Sequence, residues 1–164
     1  MLNEDYKEIL RALSANKARF LVIGAYAMGA YGYVRATGDF DIWVEHSPEN
    51  SAKVYKALKM FGAPLSQIAP DTFAVEGVVF QIGVAPRRID ILTSIDGVSF
   101  KKAYSAREEF RIERIKIPLL SKADLIKNKA STGRAKDKLD VKELRRRRRI
   151  KFPQNLLVAR TRKL

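Results

Sequence analysis

Two aspartates one residue apart stand inside a run that otherwise reads as a buried strand, and this pair constrains the chain more than any other feature. The run is GDFDIWV, residues 38–44. Alternate strand residues project to the same face, so Asp39 and Asp41 point one way while Phe40, Ile42 and Val44 point the other. A third acid, Asp90, is flanked by Ile89 and Ile91 in RRIDILT. Burying a lone carboxylate there is costly without a cation or strong hydrogen bonds. A sheet that sets the two strands side by side gathers three carboxylates into an oxygen-rich pocket suited to hard divalent cations.

The pattern around these strands predicts an α/β domain with a small mixed sheet flanked by helices. Tyr6, Ile9, Leu10 and Leu13 recur at helical spacing and predict an opening helix over 3–16. Phe20 to Ile23 reads as a buried strand ended by Gly24, Ala25 to Tyr31 as a short helix, and Asp39–Glu45 as the next strand. Ser47 supplies an N-cap and Pro48 a first helical residue, so 48–61 is read as a helix. Residues 62–72 hold two prolines and read as loop. Phe73–Gly83 and Arg87–Thr93 are strand-like, 99–105 a short helix, and 109–119 one or two strands. Ser121 to Asp124 resembles a capping box opening a helix to about Ser131. Gly133 breaks it, and a last helix runs from about Ala135 to Arg149. The expected organisation is one domain over 1–150, with a core of about 18–120, C-terminal helices over about 121–149, and a basic tail, 151–164, left unassigned.

The chain's 164 residues, 46% of them hydrophobic, suffice for one domain with its own core. There is no cysteine, which excludes disulfides and thiolate metal sites. No apolar run reaches transmembrane length and the N-terminus is polar, so a cytoplasmic protein with no membrane partner is expected. The net charge of +14 is unevenly placed. Residues 1–133 carry 19 Lys/Arg against 15 Asp/Glu, whereas residues 134–164 carry 13 against 3. The run Arg145 to Arg149 suits nucleic-acid phosphates, or equally a solvated helix end.

Two carboxylates at i and i+2, with a third from a neighbouring strand, match two-metal phosphoryl chemistry, in which paired ions clamp the attacking and leaving oxygens. The stretches VIGAYAMGAYGYVRATGDFDIWV, IDILTSIDGVSF and LLSKADLIKNKASTGRAKDKLDV together resemble the minimal nucleotidyltransferases of the DNA polymerase beta-like superfamily. Within it, the chain looks most like the group related to AbiEii-type toxin nucleotidyltransferases, over roughly residues 18–143. The resemblance implies a nucleotidyltransferase fold with a C-terminal helical extension, NTP as substrate and Mg²⁺ or Mn²⁺ as cofactor. It implies that Asp39, Asp41 and Asp90 are the catalytic, metal-binding acids. Ile23-Gly24-Ala25 stands where the family has a hydrophobic residue, Gly, then Gly or Ser; Gly24 and Ala25 would cradle the nucleotide phosphates. Ala25 departs from that pattern, keeping the backbone N–H but losing the hydroxyl. Arg35 and Thr37 match the family's R-x-T ahead of its paired acids, with Arg35 reaching phosphate or bracing an aspartate. Lys122, Lys127 and Lys129, followed by Arg134, Asp137 and Asp140, resemble the toxin group's lysine and basic-Asp-x-x-Asp stretch. One of the lysines would contact the triphosphate, and an aspartate would orient the helix or assist catalysis, with Asp137 counted among the nucleotide-binding residues; spacing does not say which lysine faces the site.

The expected activity is therefore transfer of an NMP from an NTP to an acceptor hydroxyl with release of pyrophosphate, within a toxin–antitoxin system. The acceptor, an RNA end, a protein or a small molecule, is open. Two alternatives stand beside it: a catalytically weakened binding module acting as a toxin or antitoxin partner, supported by Ala25, and a basic nucleic-acid-binding protein working through Arg145–Arg149. A P-loop is excluded because no G-x-x-x-x-G-K-[ST] occurs. His46 is the only histidine, which removes histidine-rich metal sites, and it reads as a loop residue. Trp43 and the tyrosines Tyr26, Tyr31 and Tyr33 read as packing.

Overall fold

The structure, a computed structural model, describes residues 2–147. Asn3 caps the first helix, α1 (Glu4–Ala15), by accepting the Tyr6 N–H at 2.9 Å. Strand β1 (Phe20–Val22) leads directly into helix α2 (Gly24–Ala30), and β2 (Asp39–Val44) follows. Helix α3 (Pro48–Phe61) begins where Ser47 accepts the Asn50 N–H at 3.1 Å and stops at Gly62, whose φ of 89° suits glycine. The later elements are β3 (Val79–Ile82), β4 (Arg88–Leu92), α4 (Phe100–Ser105), β5 (Glu108–Ile112), β6 (Ile115–Leu119), α5 (Lys122–Ser131) and α6 (Ala135–Arg146).

Six strands form one mixed sheet in the order β3-β4-β2-β1-β6-β5. The pairings β2–β4 and β1–β6 are parallel, and the remaining three are antiparallel. The α/β fold with a mixed sheet is thus the one expected from sequence. Period-2 alternation on β2 sends Phe40, Ile42 and Val44 into the core, each at most 1% exposed. Tyr6 of α1 stacks on Phe40 with ring centroids 4.5 Å apart, and Tyr26 of α2 meets Phe40 edge-on. On the opposite face Trp43 packs edge-on against Phe100 of α4, so that face is closed at one end and open at the aspartate end. Trp43, Tyr26 and Tyr31 are packing residues, as read from the sequence.

Two boundaries differ from the sequence reading. The segment 73–83 is a strand only from Val79, because Phe73 sits in a 3-10 turn (Thr72–Ala74) whose N–H donates to Ser51 Oγ on α3, and Gly77 at φ 81° bends the chain. The last helix ends at Arg146, one residue before Arg147 turns extended at ψ 124°. The expected helical residues 148–149 and the tail 151–164 lie outside the described residues.

Candidate functional site

The parallel register of β2 on β4 builds the site. Asp39 lies opposite Arg88 and Asp41 opposite Asp90, all on the face away from Phe40. One carboxylate oxygen from each of Asp39, Asp41 and Asp90 lies within 4.8 Å of the other two. The two strands therefore bring together the three acids singled out in sequence. Asp90 is the least exposed of the three, at 7%, on a strand flanked by β2 and β3.

The three carboxylates are compensated differently. Arg88 reaches across with Nε 2.8 Å from Asp90 Oδ1 and one terminal nitrogen 2.8 Å from Asp39 Oδ2 and 3.1 Å from Asp90 Oδ2. Thr37 Oγ1 donates to Asp39 Oδ1 at 2.7 Å. Asp41 accepts no hydrogen bond to its carboxylate from the described residues. Burial, with the neighbouring charges of Asp39 and Asp90 next, pushes its pKa up from 3.8 to about 7; Lys129 and Arg88 pull the other way. Arg88 was not singled out in sequence. The available signal was its place two residues before Asp90 in RRID, hence on the same strand face.

Gly24 is fixed by the same centre. Its φ is +68°, and a Cβ there would lie 2.3 Å from Asp41 Oδ2, so only glycine lets the β1–α2 turn pass this close to the carboxylate. The Ile23 N–H donates to the Asp41 carbonyl at 3.1 Å, which locks the turn to β2.

A cleft of about 510 Å³ opens over this turn, lined among others by Gly24, Ala25, Arg35, Asp39, Asp41, Lys129, Arg134, Lys136 and Asp137. Of the three candidate lysines, α5 turns Lys129 into the cleft. Lys122 instead donates to the Arg147 carbonyl at the end of α6, and Lys127 is exposed and does not line the cleft. Lys129 Nζ is 3.1 Å from Asp137 Oδ1 and 3.4 Å from Asp140 Oδ2. Arg35 is 3.2 Å from Asp140 Oδ1, so it braces an α6 aspartate from the loop before β2. Asp137 also accepts from Thr132 at 2.6 Å and from Arg134 Nε at 2.7 Å. Burial alone would raise the Asp137 pKa, but the Thr132 and Lys129 hydrogen bonds, the Lys129 charge and Arg134 outweigh it and hold the group at about 2. In the basic run, Arg145 and Arg146 are exposed, whereas Arg147 donates to the Gly32 carbonyl and lies 5.3 Å over the Tyr33 ring. Arg148 and Arg149 lie outside the described residues.

The donor set suits a divalent cation. It is all carboxylate oxygen, the ligand class that hard ions take, and one of its acids has no protein donor. The described helices include none long and apolar enough to cross a membrane.

The architecture and acidic centre place the chain in the class of mixed α/β domains built on the nucleotidyltransferase fold. A protein of Thermotoga maritima described as a "putative nucleotidyltransferase" is similar to it in structure, with a TM-score of 0.57 and 13% sequence identity over 89% of this chain and 96% of that one. No family model and no curated protein matches the sequence.

Proposed function

We propose that the protein is a metal-dependent nucleotidyltransferase that moves a nucleoside monophosphate from an NTP to an acceptor hydroxyl. The observation that carries this reading is that Asp39, Asp41, the Gly24-Ala25 turn and Lys129 line one cleft, with a carboxylate oxygen of Asp90 within 4.8 Å of those of the paired acids. In the reaction the acceptor hydroxyl gives up its proton to solvent, its oxygen forms a bond to the α-phosphorus, the bond from that phosphorus to the bridging oxygen breaks, and pyrophosphate leaves. Asp39, Asp41 and Asp90 would hold Mg²⁺ or Mn²⁺, which when bound neutralises phosphate charge and activates the hydroxyl. Gly24 and Ala25 line the cleft beside Asp41, with no side chain large enough to exclude a phosphate. Lys129, paired with Asp137 and Asp140 at the cleft, would supply positive charge for the triphosphate, and Arg134 and Lys136 stand at the same cleft.

The kinship with AbiEii-type toxins is part of this reading. It is supported by Lys129, Arg134, Asp137 and Asp140, whose resemblance to that group's stretch is matched here by direct ion pairs. Incubation with α-labelled NTPs, Mg²⁺ and candidate RNA, protein and small-molecule acceptors tests the activity. Label should transfer with the wild type and be lost with Asp39→Ala/Asp41→Ala. Equal transfer by both would remove the acids from catalysis.

A further inference from the structure

A protein cation stands among the three carboxylates. Arg88 uses Nε and one terminal nitrogen to engage both oxygens of Asp90 and one oxygen of Asp39, at 2.8, 3.1 and 2.8 Å. These are the charge-assisted, forked contacts that arginine makes best. The remaining Asp39 oxygen is taken by Thr37. Asp41 alone keeps its carboxylate free of described hydrogen bonds, so the oxygens of two of the three acids are already committed.

Geometry makes this commitment competitive. A Mg²⁺-sized ion needs its oxygens at about 2.0–2.1 Å and in near-octahedral array. A guanidinium bound to the same oxygens occupies the approach and cancels part of the field that would attract the ion. Arg88 is also well placed to move. Its side chain is 32% exposed, and its backbone is held independently of the fork by the β2–β4 ladder and by the Tyr6 hydroxyl, which lies 3.3 Å from the Arg88 carbonyl. The guanidinium can therefore leave while the strand stays.

We propose that Arg88 is an internal counter-ion of the acidic centre, which shields Asp39 and Asp90 in the metal-free protein and is displaced when a divalent cation binds. This rests on the metal-site reading above and adds a regulatory element to it. Metal affinity is set by competition with a residue of the same chain, and occupancy of the centre is coupled to release of the Arg88 fork. A purely structural arginine would orient the carboxylates for the metal, and its removal would weaken binding. An internal counter-ion predicts the opposite sign.

Calorimetric titration of the full chain with MnCl₂ alone separates the two. Wild type should bind Mn²⁺ with a heat that disappears in Asp41→Asn, which establishes the metal site without reference to Arg88. Arg88→Ala should then bind Mn²⁺ about tenfold more tightly, the scale of one lost charge-assisted contact. Non-denaturing guanidinium chloride should return Arg88→Ala towards wild-type affinity while leaving wild type little changed. Arg88→Lys, which keeps the charge but loses the fork, should fall between the two and serves if Arg88→Ala does not fold. In wild type, the Arg88 Nε–H signal in the nuclear magnetic resonance spectrum should move to a solvent-exposed position on adding Mg²⁺. Equal or weaker Mn²⁺ binding by both variants, or an Nε–H signal unmoved at saturating Mg²⁺, overturns the counter-ion while leaving the metal site standing. Absence of Asp41-dependent binding in every form overturns both.

Discussion

Gly24 and Asp41 are coupled at the scale of single atoms. A methyl group at Gly24 would meet Asp41 Oδ2 at 2.3 Å, and the backbone there is left-handed. Gly24→Ala should therefore cost about 1–2 kcal/mol from the backbone alone, and displacing the carboxylate should weaken Mn²⁺ binding as well. Chemical denaturation and Mn²⁺ titration of the variant check the two effects. Asp41 itself should leave a signature in pH. Its folded pKa of about 7 lies above the ordinary value of 3.8, so between those values the folded protein keeps a proton that the unfolded chain has lost. Its favourable contribution is full below about 3.8 and is lost as pH rises through about 7. In metal-free buffer, Asp41→Asn should flatten that decline and be more stable than wild type at pH 8, measured by urea unfolding across pH. At this scale the grouping of the acids was legible in sequence, because Asp39 and Asp41 share one face of a strand and Asp90 stands between apolar residues on a second strand. Arg88 was passed over, since one arginine of a pair at a strand start looks like an ordinary surface charge until the register sets it opposite Asp39.

The C-terminal elements act as one unit held by buried charge. Asp137 and Asp140 of α6, 1% and 0% exposed, engage Lys129 of α5, and Asp140 also pairs with Arg35 from the loop before β2. Removing one member of such a buried set strands the others. Asp140→Ala should cost ~3 kcal/mol, whereas Lys127→Ala on the exposed face of α5 should stay within ~0.5 kcal/mol; thermal unfolding compares them. Asp137 should add acid sensitivity. Its pKa is depressed to about 2, so the stability it contributes is present above about 3.8 and is lost as pH falls through about 2. Caps made these helices readable, with Ser47 and Ser121 marking the starts of α3 and α5 where expected. Rotation about the helix axis was not readable, because Lys122, Lys127 and Lys129 differ only in which direction tertiary packing turns them. The sheet order was not readable either: each strand carried its own pattern, and the parallel crossovers depend on contacts far apart in the chain.

Among the described residues, the acidic centre and the exposed cations of α6 lie on different elements. The acids sit at the open end of the sheet, while most of the +14 belongs to residues 134–164. Helix α6 buries Asp137, Asp140, Val141 and Leu144 and exposes Lys138, Lys142, Arg145 and Arg146. It begins at Arg134, which lines the cleft together with Lys136. A polyanion lying along the exposed strip would thus extend towards the proposed catalytic centre without touching its acids. Arg147 is committed to Gly32 and Tyr33, and Arg146 pairs with Glu143 at 3.0 Å but stays exposed, so within the described part of the arginine run Arg145 and Arg146 are the exposed cations that can meet phosphates. Binding of fluorescent single-stranded RNA should weaken steeply with salt and be unchanged by Asp39→Ala/Asp41→Ala. Each phosphate contact contributes about 0.7 to the slope of log affinity against log salt for a single strand, so Arg145→Ala/Arg146→Ala should lower that slope by about 1.4. Anisotropy titrations at several salt concentrations measure it, and a slope unchanged by the double substitution would detach α6 from nucleic acid and point to a protein or small-molecule acceptor.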